Sequence, residues 1–250
     1  MNFTTKSFEI DGDLSLALVD YRVTNLMQKC LKNLNIQIIR SRENKQVHKS
    51  INYHPDMSVL NLGNGNIIVE PSLYEGYKEL LDKYDFNIIK GESYLTDKYP
   101  YDIAYNVAIV GNYAIHNFKY TDKKILDFIE ENELEKINIE QGYSKCSICI
   151  VDDKSIITSD KGIYNTLKDK NIDCLLIKEG HISLAGMNYG FIGGCSGMVS
   201  KDIIAFFGDI TKHPDYENIN QFVKSKKKNI ISLSSEELMD FGSIVPLMTY

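Results

Sequence analysis

The first residue that could do chemistry is Cys195, within Gly193-Gly194-Cys195-Ser196-Gly197. Glycine neighbours leave a thiol accessible and can present free backbone N–H groups, and a thiolate is strongly nucleophilic near neutral pH. The alternative is that Cys195 is simply a small residue packed in a tight glycine-rich turn. Cys195 is therefore the candidate nucleophile of this sequence, with that packing role as its competitor.

A second candidate group combines a proton carrier with carboxylates. His54 stands two residues before Asp56 and could serve as a general acid/base beside an anchoring carboxylate, unless a local turn before Pro55 satisfies it. Asp20 and Arg22 lie where the first unit turns into its helix, so they are either rim residues of a site or helix-capping residues.

No metal or redox site is predicted. Cys146 and Cys149 resemble a thiol pair, but both fall on a predicted strand, Cys146–Val151. Residues three apart on a strand point to opposite faces, so they would neither chelate nor exchange electrons as a pair. The sequence also shows no cofactor motif.

Bulk properties exclude several kinds of partner. The formal net charge is −6 and the pI is about 5.4, whereas phosphate-backbone binding needs a surplus of Lys and Arg. No apolar run approaches the roughly 20 residues of a membrane span, and Met1 to Ile10 lacks a signal-peptide core. We expect a cytoplasmic protein with reduced thiols that binds neither nucleic acid nor membrane.

The elements that must position these residues form a repeat. Five apolar strands are each followed by an amphipathic helix, and the equivalent points of the five strands are 51, 46, 43 and 48 residues apart, at Leu18, Val69, Ile115, Thr158 and Phe206. The helices are predicted at Thr24–Leu34, Ser72–Tyr84, Thr121–Glu133, Lys161–Lys170 and Tyr216–Lys228. Their predicted capping residues are Thr24, Ser72, Thr121 and Asp160.

Each unit reads strand, strand, helix, strand. A leading strand is joined by a hairpin to the middle strand, and a β-branched strand follows the helix. We predict one domain over residues 1–250, with repeat cores near 14–50, 57–100, 103–141, 146–190 and 197–247. The first unit lacks a leading strand apart from the weak segment Phe8-Glu9-Ile10. The surplus strand Ser243–Leu247 is therefore expected to pair with the first unit and close a ring.

Five such units in a ring resemble the pentein fold of guanidino-group-modifying enzymes, over about Leu14 to Leu247. The resemblance implies an α/β fold, a five-fold pseudosymmetric α/β propeller of ββαβ units. The segment Gly190-Phe191-Ile192-Gly193-Gly194 and the Lys-, Asn- and Ile-rich composition look most like a bacterial branch common in clostridia.

The resemblance also implies a site. In the family's hydrolases the repeat ends line a central cavity that holds a Cys nucleophile, a His acid/base and carboxylates that grip a guanidinium through paired hydrogen bonds. They usually place the Cys at the last repeat end and the His two repeats earlier, where this sequence has Ser243 and Gly142-Tyr143-Ser144. The available pair is Cys195 and His54. The expected substrate-binding residues are Asp56, Asp102, Asn106, Asp20 and Arg22, with Asp56 and Asp102 counted at equivalent positions.

Two functions follow as hypotheses. The first is a hydrolase or transferase acting on a guanidino or amidine compound, that is, on a small polar, cationic ligand. The second is a non-catalytic interaction module, since the resemblance extends to a member that binds the large ribosomal subunit. The sequence leaves a homodimer open.

Overall fold

The computed structural model describes all residues, 1–250, as a mixed α/β protein. Its strands, in chain order, are β1 (Asn2–Phe3), β2 (Leu14–Val19), β3 (Gln37–Arg40), β4 (Val59–Gly63), β5 (Asn66–Val69), β6 (Asn87–Lys90), β7 (Ala108–Val110), β8 (Tyr113–His116), β9 (Glu135–Asn138), β10 (Cys149–Asp152), β11 (Ser155–Thr158), β12 (Asp173–Leu176), β13 (Ser196–Ser200), β14 (Ile203–Phe206), β15 (Asn229–Ser232) and β16 (Val245–Thr249). Its α-helices are α1 (Asn25–Asn33), α2 (Pro55–Ser58), α3 (Tyr74–Leu81), α4 (Lys123–Glu131), α5 (Ser144–Ser147), α6 (Lys161–Leu167) and α7 (Tyr216–Ser225). Short 3₁₀ turns occupy Asp82–Tyr84, Phe118–Tyr120 and Ile210–Lys212.

These strands form five small sheets, as the repeat predicts. Four sheets have three strands each, in the orders β4-β5-β6, β7-β8-β9, β10-β11-β12 and β13-β14-β15, and the fifth is β1-β16-β2-β3. In each unit the leading strand pairs antiparallel with the middle strand, and the last strand pairs parallel with the middle one. A parallel pair needs a crossover, which the five long helices provide.

The chain ends close the ring. Strand β16 pairs antiparallel with β2, with Val245 opposite Leu18, so the carboxyl-terminal strand supplies the leading strand of the first unit. The predicted closure is confirmed, although β16 begins two residues later than expected. At the amino terminus, the segment that forms a strand is Asn2–Phe3 and not Phe8-Glu9-Ile10. This strand, β1, pairs with the other edge of β16.

Burial places the leading strands on the inside. All residues of β4 are buried, whereas β6, at the outer edge of the same sheet, is exposed or half-buried along its length. Leading strands of neighbouring sheets also contact one another, since β13 contacts both β10 and β16, and β16 contacts β4. The segments that enter the leading strands therefore meet near the middle of the ring.

Two of those segments are short helical turns. Residues Pro55–Ser58 form α2 ahead of β4, with proline at the start of the helix where its missing N–H costs nothing. Residues Ser144–Ser147 likewise form α5 ahead of β10. The prediction of a strand over Cys146–Val151 was therefore wrong at its first three residues. Helical rather than extended backbone sets the direction of the Cys146 side chain.

The helix caps agree in part with the sequence. Thr24 and Asp160 cap α1 and α6 by accepting hydrogen bonds from the amides of Met27 and Ile163. The predictions of Ser72 and Thr121 as caps were wrong, because Leu73 and Asp122 hold those positions.

None of the helices is both long enough and apolar enough to cross a bilayer.

Candidate active site

A cavity of about 270 Å³ lies among the segments that enter the leading strands. Three ionisable side chains at its buried end are His54, Cys146 and Asp240. Tyr143 and Asn188 also line it, and the rest of its wall is apolar, formed by Ile51, Met57, Leu184, Met187, Tyr189 and Phe191. A larger groove of about 610 Å³ near the hairpin turns has neither Cys nor His in its lining.

Cys146 is held by residues of two other units. Its thiol donates to the Asp56 carboxylate, with Sγ 3.4 and 3.3 Å from the two oxygens. The Asn106 amide donates to Sγ at 3.2 Å, and the Asn106 Oδ1 accepts from the Cys146 backbone N–H at 3.2 Å. Burial, followed by the nearby carboxylates, raises the Cys146 pKa well above its ordinary value. The resting thiol is therefore protonated at neutral pH.

Asp56 also belongs to a buried charge network. Ser243 donates from Oγ to Asp56 Oδ2 at 2.6 Å, and Lys145 donates from Nζ to Ser243 Oγ at 2.8 Å. Lys145 donates further to the Gly193 carbonyl at 3.3 Å, and its Nζ lies 4.9 Å from the centre of the Phe8 ring. Burial raises the Asp56 pKa, and the Lys145 charge opposes that rise.

His54 lies between two carboxylates without a hydrogen bond to either. Its Nε2 is 3.9 Å from Asp20 Oδ2 and its Nδ1 is 3.7 Å from Asp240 Oδ1, and neither ring nitrogen has a partner although the side chain is buried. Burial, and then the positive charge of Arg22, lower the His54 pKa to about 3. The imidazole is therefore neutral near pH 7, and its surroundings oppose its protonation.

Asp240 is the second carboxylate at the cavity. Its oxygens accept from the backbone N–H groups of Phe191 at 2.9 Å and Gly242 at 3.0 Å. Burial, and then the Asp56 charge, raise the Asp240 pKa to about 7. Asp240 belongs to the last repeat end, and sequence reasoning did not single it out as a site residue.

Asp20 and Arg22 form an ion pair with two hydrogen bonds beside His54. Arg22 donates from Nε to Asp20 Oδ1 at 3.0 Å and from Nη2 to Oδ2 at 2.6 Å. The guanidinium also donates to the carbonyls of Lys49 and Ser50, at 3.2 and 3.1 Å. Four of the five N–H groups of Arg22 are thus engaged within the protein.

The glycines of this region are required for packing. A Cβ on Gly194 would lie 2.0 Å from Asp240 Oδ1, and one on Gly193 would lie 2.3 Å from the carbonyl oxygens of Ile148 and Lys145. Gly242 has φ +67° and would bring a Cβ to 2.4 Å from the Cβ of His54. These glycines let the chain pass close to the carboxylates and the imidazole.

Five of the predicted site residues come together here: His54, Asp56, Asn106, Asp20 and Arg22. Two do not. Cys195 lies in the hydrophobic core with Sγ 3.3 Å from the Ile192 carbonyl and does not line the cavity. The expectation that Cys195 is an accessible thiol is wrong, because the glycines beside it serve close packing and leave it fully buried.

Asp102 is the other exception. It precedes β7 by six residues, whereas Asp56 precedes β4 by three, so the two are not equivalent. Asp102 accepts from the Tyr143 hydroxyl at 2.6 Å, its other oxygen has no partner, and it does not line the cavity. Burial raises its pKa.

Cys146 is the thiol that sequence reasoning missed. In the sequence, Cys146 is considered only as half of a thiol pair with Cys149 on one strand, whereas the strand begins only at Cys149. A usable signal was present, because Cys146 stands two repeat ends after His54, the separation that the family resemblance implies.

Three side chains of the site carry atoms of the kinds that bind metal ions. The donor atoms of His54, Asp56 and Cys146 all lie within 4.8 Å of one another, somewhat wider than the ~3.5 Å edge of a tetrahedral zinc site. A small inward shift would allow a transition metal to bind them. The sequence spacing did not predict this grouping, because the three ligands come from two distant units.

Comparison with known proteins gives the family and the fold. The chain belongs to a family described as "Family of unknown function (DUF6873)", whose sequence profile matches residues 18–245. No curated protein matches the sequence.

Similar solved structures are enzymes of guanidino compounds. A substrate-bound variant of agmatine deiminase from C. jejuni has a TM-score of 0.57 and 10% identity, over 98% of this chain and 96% of that one. The inosamine-phosphate amidinotransferase StrB1 from Streptomyces griseus has a TM-score of 0.55 and 12% identity, over 93% and 92%. The amidinotransferase SxtG from Microseira wollei has a TM-score of 0.55 and 11% identity, over 92% and 91%. The predicted pentein fold is confirmed, and the clostridial assignment stays a prediction.

Proposed function

We propose that this family member is a thiol-dependent enzyme that acts on the guanidino or amidino group of a small cationic compound, with Cys146 as its nucleophile. The observation that carries the proposal is the grouping of Cys146, His54 and Asp56, whose reactive atoms lie within 4.8 Å of one another beside a cavity that also contacts Asp240. The fold shared with deiminases and amidinotransferases supports the same chemistry.

The charge balance of the site favours a cation. Three buried carboxylates, Asp20, Asp56 and Asp240, are accompanied by two cations, Arg22 and Lys145, while His54 is neutral. An unbalanced buried charge is costly, and the raised pKa of Asp240 shows that a proton can supply the missing positive charge. A guanidinium in the cavity would replace that proton and could donate two parallel hydrogen bonds to a carboxylate.

A bound cation would also activate the thiol. The Cys146 pKa is high because the site is buried and negative, so positive charge beside Sγ lowers the cost of forming the thiolate. Asp56 already accepts the hydrogen bond of the thiol and has a raised pKa, so Asp56 is the group placed to take the thiol proton. The neutral His54, whose two ring nitrogens have no partner, is left to hydrogen-bond the substrate.

The proposed reaction proceeds in two balanced halves. The Cys146 thiolate attacks the amidino carbon, an S–C bond forms, the C–N bond to the leaving nitrogen breaks, and that nitrogen departs with the proton held by Asp56. Water or an amine acceptor then adds to the same carbon, gives a proton to Asp56, and the S–C bond breaks to regenerate the thiol. With water, a guanidino group yields a ureido group and ammonia, or urea and an amine.

Acid-quenched mass spectrometry tests the proposal. Wild-type protein mixed with a guanidino substrate should carry a covalent mass increase on the peptide that contains Cys146, and Cys146→Ala should carry none. Release of ammonia or urea in the same samples measures turnover. If Cys146→Ala turns over substrate as fast as the wild type, the covalent mechanism is excluded.

A non-catalytic binding module is the second candidate. The observation that favours it is that Asp56 already accepts from Ser243 and Cys146, so the resting thiol is hydrogen-bonded and protonated. A binding module would bind the cation with the same affinity in the wild type and in Cys146→Ala, and neither protein would form an adduct.

A further inference from the structure

The cavity combines a polar buried end with an apolar wall. Outward from His54, Cys146 and Asp240, the side chains are aromatic or aliphatic apart from Asn188. The rings of Tyr143 and Phe191 lie 6.2 Å apart, and those of Phe191 and Tyr189 lie 6.1 Å apart, so they form one continuous aromatic surface.

The outer part of this wall is exposed. Met187 is 46% exposed and Tyr189 is 37% exposed, whereas the ionisable residues at the inner end are buried. A ligand whose cationic group reaches Asp240 would therefore lay the rest of its structure along Tyr143, Phe191 and the side chains of the rim.

No charged group is free to receive a charged tail. Arg22 is committed to Asp20 and two backbone carbonyls. Lys145 donates to Ser243 and Gly193. Apart from Asp240, the cavity lining contains no Asp, Glu, Lys or Arg.

We infer that the substrate is a guanidine or amidine whose tail is apolar and uncharged, such as an alkyl or aralkyl group, and not an amino acid or a diamine derivative. This inference rests on the proposed function for the position of the cationic group. A volume of about 270 Å³ is the room of roughly nine waters. It suits a ligand of on the order of ten non-hydrogen atoms.

The apolar wall should discriminate strongly between uncharged and charged tails. Each methylene placed against the apolar wall improves affinity about fourfold. The ammonium of agmatine or the carboxylate of arginine would lose hydration there without finding a partner. The wall thus selects against charge as well as for apolar area.

Binding to the Cys146→Ala protein tests the inference without turnover. Isothermal titration calorimetry would compare pentylguanidine with agmatine, which differ only by a terminal methyl or ammonium group, and would include propylguanidine and arginine. We expect pentylguanidine to bind at least tenfold more tightly than agmatine and about tenfold more tightly than propylguanidine. Equal or tighter binding of agmatine or arginine overturns the inference, as does failure of every guanidine to bind.

A rim substitution gives a matched check. Met187→Glu places a carboxylate on the exposed part of the wall and should shift the preference toward agmatine by about tenfold, while Met187→Gln should not. If neither variant changes the ratio of the pentylguanidine and agmatine affinities, the tail does not lie along this wall.

Turnover by the wild-type protein distinguishes failure of this inference from failure of the proposed function. Turnover of arginine but not of pentylguanidine would contradict only the inference about the tail. Binding of pentylguanidine without any covalent adduct would contradict only the proposed chemistry.

Discussion

The Cys146 thiol donates to the Asp56 carboxylate, with Sγ 3.3 Å from Oδ2, although the two residues are 90 positions apart. Asn106, from the unit between them, completes the contact by donating to the Cys146 Sγ and to the Asp56 carbonyl. Three repeat ends are therefore joined in one hydrogen-bonded group, and its chemistry depends on how the ring brings the units together.

Replacing Cys146 and Cys195 one at a time distinguishes a reactive thiol from one that only packs. Cys146→Ala should lower kcat by at least about a thousandfold, because it removes the attacking atom. Cys195→Ala should leave kcat within about twofold and lower the free energy of unfolding by about 1 kcal/mol, because Cys195 is a core residue. Steady-state kinetics and urea unfolding of both variants provide the measurement. Loss of activity in Cys195→Ala with an intact fold would contradict the assignment.

The affinity for a guanidinium should depend on pH through Asp240. Its pKa in the free protein is raised to about 7, and a cation binds the ionised form. Affinity should therefore fall about tenfold per pH unit below 7 and level off above it. Calorimetry on Cys146→Ala between pH 5.5 and 8.5 would show this, together with proton release on binding below pH 7.

A neutral control makes the pH test specific. A ureido analogue carries no positive charge, so its affinity should not rise across this range. A flat profile for the guanidinium, or an equal rise for the ureido compound, would show that Asp240 does not govern binding.

The buried cation should stabilise the fold mainly by balancing Asp56. Lys145→Met leaves that carboxylate without its nearby charge, and we expect a loss of about 3–5 kcal/mol at pH 7.5. The double variant Lys145→Met with Asp56→Asn should recover much of it, because the unbalanced charge is also removed. Urea unfolding of the two single variants and the double variant measures the coupling.

An exposed lysine provides the control for Lys145→Met. Lys123 pairs with Asp127 on the surface, where an ion pair contributes little, so Lys123→Met should leave the free energy of unfolding almost unchanged. If Lys145→Met cost no more than Lys123→Met, the buried network would not be a stabilising element.

Gly194 should not tolerate a side chain. A Cβ there would lie 2.0 Å from Asp240 Oδ1, so Gly194→Ala should displace the carboxylate, weaken guanidinium binding and destabilise the protein by about 1–3 kcal/mol. Gly12→Ala is the matched control, because its Cβ would meet no atom closer than 3.8 Å. Similar melting temperatures and affinities for the two variants would refute the packing role.

The sequence by itself determined the repeat and most of the residues around the site. Alternating and β-branched strands, helical periodicity and turn residues are local patterns, so the five units and the closing role of the last strand could be recognised without coordinates. His54, Asp56, Asn106, Asp20 and Arg22 were found because the resemblance to the pentein fold implies that the repeat ends line a central cavity.

Tertiary structure decided which thiol joins them. Whether Cys146 points to the cavity depends on the helical turn Ser144–Ser147, and whether Cys195 does depends on close packing of glycines against Asp240. Both Lys145 and Asp240 stand at repeat ends, but their roles could not be assigned from the sequence, since the groups that act on them come from other units. Burial and charge balance at the centre arise only when the ring closes, and they set the pKa values on which the proposed chemistry depends.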